Sequence, residues 1–196
     1  MPSSATYGPA PSTQVPLTQV IAGTTETMIL GATPASSASS PTSLEPNATV
    51  PLALTIPANS LLSGKRFSAL WNFTVVAASS ENFTAKLYAA KVALSTTPGS
   101  NTLLGSSGTV ATGAAGTYDG WAEFQGQYSA ASGKLTGTVK FLFNNTIVAE
   151  VAVSNIITGI VGTTDPVLNF GISATFGTAG ATNSVSIPEG GASINF

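Results

Sequence analysis

The sequence predicts an all-β chain: a two-sheet antiparallel jelly-roll sandwich of about eight strands over residues 50–196, preceded by an extended arm over residues 1–49. Three observations carry that expectation. From Val50 onward apolar residues recur with a period of two, the repeat of a strand with one buried face. No stretch holds the period of roughly 3.6 residues that marks an amphipathic helix. Nine of the 12 prolines fall in the first 57 residues, where a fixed φ and a missing N–H donor oppose regular pairing.

The arm comes first along the chain. Residues 1 to about 20, and the run GATPASSASSPTSLEPN at 31–47, are rich in Pro, Ser and Thr and are expected to be extended or irregular. Between them TQVIAGTTETMIL, 18–30, is expected to supply one early strand. Alone, such a composition buries too little apolar surface to stay ordered. The apolar residues Tyr7, Val15, Leu17, Val20 and Ile21 are therefore read as anchors that lay the arm along another surface, of its own domain or of a neighbouring subunit.

In the domain the clearest strand is Arg66 to Val76, with Phe67, Ala69, Trp71, Phe73 and Val75 on one side and Arg66, Ser68, Leu70, Asn72 and Thr74 on the other. Asn82 to Leu94 repeats the pattern with Phe83, Ala85, Leu87 and Ala89. The short AASSE turn between the two predicts a hairpin. Further strands are expected at Leu52 to Ile56, Gly120 to Tyr128, Lys134 to Phe143, Ile147 to Val153, Val167 to Phe176, Ser184 to Ile187 and 193–196. Ser132-Gly133 and Asn144-Asn145 carry turn chemistry. Phe67, Trp71, Phe73, Phe83, Leu87, Phe141 and Phe170 are the expected core. An immunoglobulin fold fits less well, wanting seven strands in about 100 residues, and a propeller or β-helix would need internal repeats.

Composition narrows the chemistry. The chain has no histidine and no cysteine, so it lacks a proton shuttle at neutral pH, an imidazole ligand, a thiolate nucleophile and a disulfide. Six Lys and Arg against eight Asp and Glu give a net charge of −2 without a basic stripe, which argues against a nucleic-acid partner. So little charge leaves a surface of hydroxyls, amides and small apolar groups, suited to life in an assembly. No apolar run approaches the roughly 18 residues that span a bilayer, and the first residues lack the pattern of a secretory signal, so no membrane role and a cytoplasmic origin are expected. Four Asn-X-Thr triplets, at Asn47, Asn72, Asn82 and Asn144, are read as chance in a chain rich in both residues.

The carboxylates Glu26, Glu45, Glu81, Asp119, Glu123, Glu150, Asp165 and Glu189 are the acid–base candidates. Glu123 with Glu150 is the pair to test for facing carboxylates of glycosidase type. The plainer expectation is that each is a polar position on a strand face, and that the chain is not an enzyme and carries no catalytic residue, cofactor or metal. The glycine-rich run GTVATGAAGTYDG, 108–120, lacks the Lys-Ser/Thr of a phosphate loop and reads as loop. Trp121, Tyr118 and Tyr128 form either a stacking platform for sugar or, in the preferred reading, part of the core and its rim.

One stretch is more specific. LTIPANSLLSGKRFSALWNFTV, from Leu54 to Val75, followed by NFTAKLYAAKVALS, resembles the first core strands of virion jelly-roll proteins of tailed bacteriophages. TDPVLNFGISATFGTAGATNSVSI, from Thr164 to Ile187, is similar to their closing strands. The resemblance implies a virion structural protein of the capsid-decorating, cementing type, a homotrimer bound to the major capsid protein on the capsid surface after assembly in the host cytoplasm. On that reading Tyr7, Val15, Leu17, Val20 and Ile21 are the capsid-binding residues of the arm. A head-fibre, tail or receptor-binding protein with a glycan-binding knob is the alternative, and it would place exposed aromatics in the loops 105–120 and 176–184.

Overall fold

The computed structural model describes residues 17–21, 24–34, 44–51, 53–56, 66–91, 93–129, 132–157, 168–178, 180, 182–188 and 192–195. Among these the chain is all-β. Its strands are β1 (Leu17–Val20), β2 (Thr27–Met28), β3 (Leu30–Pro34), β4 (Leu44–Pro51), β5 (Leu54–Ile56), β6 (Arg66–Ala77), β7 (Asn82–Ala90) and β8 (Thr102–Ser106). They continue with β9 (Val110–Ala111), β10 (Gly116–Ser129), β11 (Lys134–Phe143), β12 (Thr146–Ile156), β13 (Leu168–Phe176), β14 (Ser184–Ile187) and β15 (Ala192–Asn195). One short 3₁₀ turn, Pro98–Ser100, interrupts them.

The strands form two sheets. The larger runs β12-β11-β10-β6-β14-β1-β4-β3, with β15 also paired to β6, and the smaller runs β2-β13-β7-β8, with β5 on β13 and β9 on β7. Pairing is antiparallel throughout, apart from the single parallel bridge Leu17↔Leu44. Inner faces of both sheets meet in one core. All seven expected core residues lie in it, each 4% exposed or less. Their rings touch across the two sheets: Phe67 and Phe124 of the larger sheet lie 5.7 and 5.8 Å from Phe170 of the smaller, and Phe73 and Phe143 lie 6.1 and 5.6 Å from Phe83. Each fully buried phenylalanine contributes roughly 1.5–3 kcal/mol over an exposed one, so this aromatic stack is the main adhesive between the sheets.

The strict alternation of β6, buried at every odd position from Phe67 to Ala77, is as its sequence predicts. The expected hairpin is not. β6 pairs with β10 on one edge and with β14 and β15 on the other, whereas β7 lies in the smaller sheet between β13 and β8. The connection 78–81 therefore crosses between sheets. Two strands that each carry an aromatic face bury both by pointing them at one another across a core, and alternation alone does not distinguish that from pairing side by side.

Residues assigned from sequence to the arm also join the sheets. β1 pairs with β14 from Leu17↔Ile187 to Val20↔Ser184, and β3 with β4 adds the outermost ribbon of the larger sheet. Pro34 is tolerated because β3 has no further neighbour, and Pro46 and Pro51 because β4 meets β1 only at Leu44, so that fewer N–H donors are needed on these strands. The glycine-rich stretch read as loop holds β9 and the start of β10. Asn144 and Asn145 have φ of 48° and 61°, the left-handed pair of a type I′ turn, and close the β11–β12 hairpin.

The crossover is fastened by Glu81, which is 4% exposed. Its carboxyl accepts hydrogen bonds from the Thr178 N–H at 3.0 Å, the Asn183 amide at 3.2 Å and the Ser79 hydroxyl at 3.3 Å. Its own N–H donates to Thr112 Oγ1 at 2.9 Å, and Thr112 N–H returns a bond to its carbonyl at 2.9 Å. Asn183 in turn accepts from Ala78 N–H and, through its backbone carbonyl, from Ile21 N–H, both at 2.8 Å. One residue, through its side chain and its backbone, thus links the exit of β6, the entry of β7, the β9–β10 loop and the β13–β14 loop. Replacing Glu81 by Ala strands buried donors and is expected to cost about 3 kcal/mol in urea unfolding. Replacing exposed Glu150 by Ala is expected to cost less than about 1 kcal/mol. Equal effects would contradict the role given to the corner.

Candidate functional site

The outer face of the larger sheet is where the candidate residues converge. β6, β10, β11 and β12 lie side by side, and their register sets outward side chains in cross-strand rows. One row reads Asn72, Trp121, Leu142, Ile147; the next Leu70, Glu123, Lys140, Glu150; a third Ser68, Gln125, Thr138, Ala152. Thr74 faces Asp119 beside the first row.

Glu123 and Glu150 do not face each other across a cleft. Lys140 stands between them in register, its ammonium 3.6 Å from Glu150. A cation occupies the position where a scissile bond would lie, and the row is an alternating, half-exposed ion-pair strip. Among the described residues no three acidic side chains are grouped to hold a metal.

The three aromatic candidates separate cleanly. Tyr128 is fully buried. Tyr118 points inward at the rim of the core, stacked on Phe143 with ring centres 5.6 Å apart and donating its hydroxyl to the Ala114 carbonyl at 2.9 Å. Trp121 alone faces outward and is half-exposed. It borders a hollow of about 400 Å³ together with Asn72, Thr74, Asp119, Leu142 and Pro188. On the inner side of the same strand Gly120 leaves room for the core: a Cβ there would lie 2.0 Å from the Phe73 ring. Along the same strands a larger hollow of about 620 Å³ is lined by polar and charged side chains, among them Arg66, Gln125, Gln127, Thr138 and the Lys140–Glu150 pair. It lies over Gly126 and Gly137, paired across the strands, neither with room for a Cβ.

Asn72, Thr74 and Asp119 were not singled out as a group from sequence. Each sits two residues from another outward position, Asn72-Phe73-Thr74 and Asp119-Gly120-Trp121, but only the β6–β10 register, Thr74↔Asp119 and Asn72↔Trp121, brings them together. Of the arm residues, Tyr7 and Val15 lie outside the described residues. Leu17 and Val20 are in β1, and Ile21 is 3% exposed within the chain's own core, so its side chain serves that core rather than a neighbouring surface. Asp165 and Glu189 also lie outside the described residues.

A second polar cluster covers the outer face of the smaller sheet. Glu26 accepts hydrogen bonds from Tyr88 and Ser173, both at 2.6 Å, and from Lys86. The set of serine, lysine and carboxyl has the ingredients of an activated nucleophile, but Ser173 is fully buried and its hydroxyl is given to Glu26. The cluster is a clasp that holds the segment before β2 onto β7 and β13. Burial works against ionisation of Glu26, yet the bonds from Lys86, Ser173 and Tyr88 and the Lys86 charge outweigh it and hold the carboxyl below its ordinary value. Burial, then the Glu26 carboxylate, pushes the Tyr88 hydroxyl well up.

Comparison with protein-family models, with curated proteins and with solved structures found no match.

Because the Glu26 pKa falls on folding, its contribution is present above the ordinary value of 4.5 and is lost as pH drops through the lowered folded value. Glu26→Gln should therefore be less stable than wild type near neutral pH, and the gap should close as the pH falls below 4.5. Urea unfolding of both proteins across that range checks this, and a gap that widens in acid would contradict it.

Proposed function

We propose that the chain is a non-enzymatic structural protein of a tailed-bacteriophage virion, a jelly-roll sandwich that assembles as a homotrimer and decorates the capsid, cementing the major capsid protein. One observation carries the reading. The segments that resemble virion jelly-roll proteins coincide with β5, β6, β7, β13 and β14, and β6 lies at the middle of the larger sheet and β7 and β13 at the middle of the smaller. The acidic side chains support it, since Glu26 and Glu81 are committed to clasps and Glu150 to an ion pair with Lys140. For the trimer contact the proposal takes the edge strands β8 and β12, which meet within the chain where Asn155 donates to the Leu103 carbonyl at 2.8 Å. Leu103 and Ile147, 43% and 58% exposed, are the exposed large apolar side chains among the described residues, one on each of these strands. Apolar side chains on open edges are what a closed symmetric contact removes from water.

Attachment is assigned to the segment before Leu17, with Tyr7 and Val15 as its anchors. Since β1 is part of the sheet, a deletion that probes attachment must spare it. Removing residues 2–15 should leave a trimer that no longer binds capsids lacking the protein, whereas the full chain rebinds them. Leu103→Lys with Ile147→Lys should give monomers in sedimentation. A full-length chain that sediments as a 19.5 kDa monomer and leaves such capsids bare would overturn the proposal.

A further inference from the structure

We infer that the outer face of the larger sheet binds a neutral oligosaccharide, with Trp121 as its stacking platform and Asp119, Asn72 and Thr74 as the groups that read its hydroxyls. This goes beyond the structural role proposed above and does not depend on where the chain sits in a particle. The hollow at Trp121 joins two chemistries that a sugar ring needs together. A half-exposed indole offers a flat face to the ring's C–H surface, with Leu142 and Pro188 as apolar neighbours. Asp119 offers carboxylate acceptors, and Asn72 a donor and an acceptor, on adjacent strands. Thr74 Oγ1 lies 3.4 Å from Asp119 Oδ1, close enough to fix the carboxyl's orientation.

Charge narrows the ligand further. Asp119 is the one charged residue among those lining this hollow, so a sugar acid or phosphate is repelled and a hydroxyl donor is favoured. A quaternary ammonium would also suit Trp and Asp, but such cages surround the cation with several aromatic faces, and here there is one. The volume of about 400 Å³ is within the ordinary range for small-molecule sites.

The second hollow gives the chain of sugars somewhere to go. Gln125 and Gln127 follow Trp121 on the same face of β10, roughly 13 and 20 Å along at 3.4 Å per residue. With Ser68, Thr136 and Thr138 they make rungs of amides and hydroxyls, bordered by Arg66, Lys140 and Glu150 and reached from Trp121 past Glu123. The geometry therefore expects an extended ligand lying along β10, stacked at one end and hydrogen-bonded at the other.

The test uses the full chain with methyl glucoside, cellotetraose, maltotetraose, chitotetraose and choline as probes, followed by tryptophan emission and calorimetry. Trp71 is fully buried, so a change in emission reports Trp121. At least one tetrasaccharide should bind more tightly than methyl glucoside. Trp121→Ala should weaken it tenfold or more, with an unchanged circular dichroism spectrum as the check on folding. Asp119→Asn, which keeps shape, should weaken all sugars several-fold, and Gln125→Ala should weaken the tetrasaccharide but not the monosaccharide. Absence of sugar binding up to roughly 10 mM overturns the inference. So does binding of choline in place of sugars, or a Trp121→Ala variant that dissociates the oligomer while leaving sugar affinity unchanged.

Discussion

The fold depends on a corner. The larger sheet reaches the smaller one through connections that leave its plane, and one of these, residues 78–81, must turn the chain from β6 to β7 within four residues. A turn that tight leaves backbone donors without ladder partners, and although Ala78, Ser79 and Ser80 are exposed, the Glu81 that ends it is buried. Glu81 and Asn183 supply the missing partners, one receiving donors from the β13–β14 loop, the other joining the end of β6 to the residue after β1. Polar side chains here do what ladder bonds do elsewhere. They also set the distance over which Phe83 can reach Phe73, Phe143 and Phe176, so the aromatic core and the polar corner specify the same geometry.

That core tolerates one unmet polar group. The indole N–H of Trp71, fully buried, has no hydrogen-bond partner, at a cost of roughly 1–3 kcal/mol. The area buried by the ring in the middle of β6 offsets this. Glycines act in the opposite sense, on the sheet rather than in the core. Gly120, Gly126 and Gly137 point inward where a Cβ would meet a ring or a backbone oxygen, so the strands sit closer to the core than alanine would allow. The two hollows of the outer face lie over these positions.

Much of this was legible in the residues. The odd positions of β6, the type I′ asparagines and the aromatic core follow from local alternation and turn chemistry, which depend on a few neighbouring residues. Pairing partners do not. The β6–β7 crossover, the row Glu123, Lys140, Glu150 and the grouping of Asp119 with Asn72 are facts of register between segments 10 to 50 residues apart. Short or small-residue strands such as β8 and β9 were missed because Gly, Ser and Thr give alternation no amplitude. β3 and β4 were hidden by prolines that an edge strand can accommodate. Glu26, read only as one acid among eight, gains its role from Lys86, Tyr88 and Ser173, about 60 and 147 residues away.

On the proposed reading, two sheets held by a polar corner and an aromatic core sit on a particle surface, with the exposed apolar side chains of β8 and β12 turned toward copies of the chain and the outer face of the larger sheet turned outward. That reading's central claim is best tested by electron cryo-microscopy of intact virions at a resolution that resolves strands. The account expects threefold clusters of this domain on the capsid, with β8 and β12 at the subunit contacts, the segment before Leu17 running onto the capsid and the outer face of the larger sheet in solvent. Virions without the domain on the capsid, or single copies whose β8 and β12 edges touch no neighbour, would contradict it.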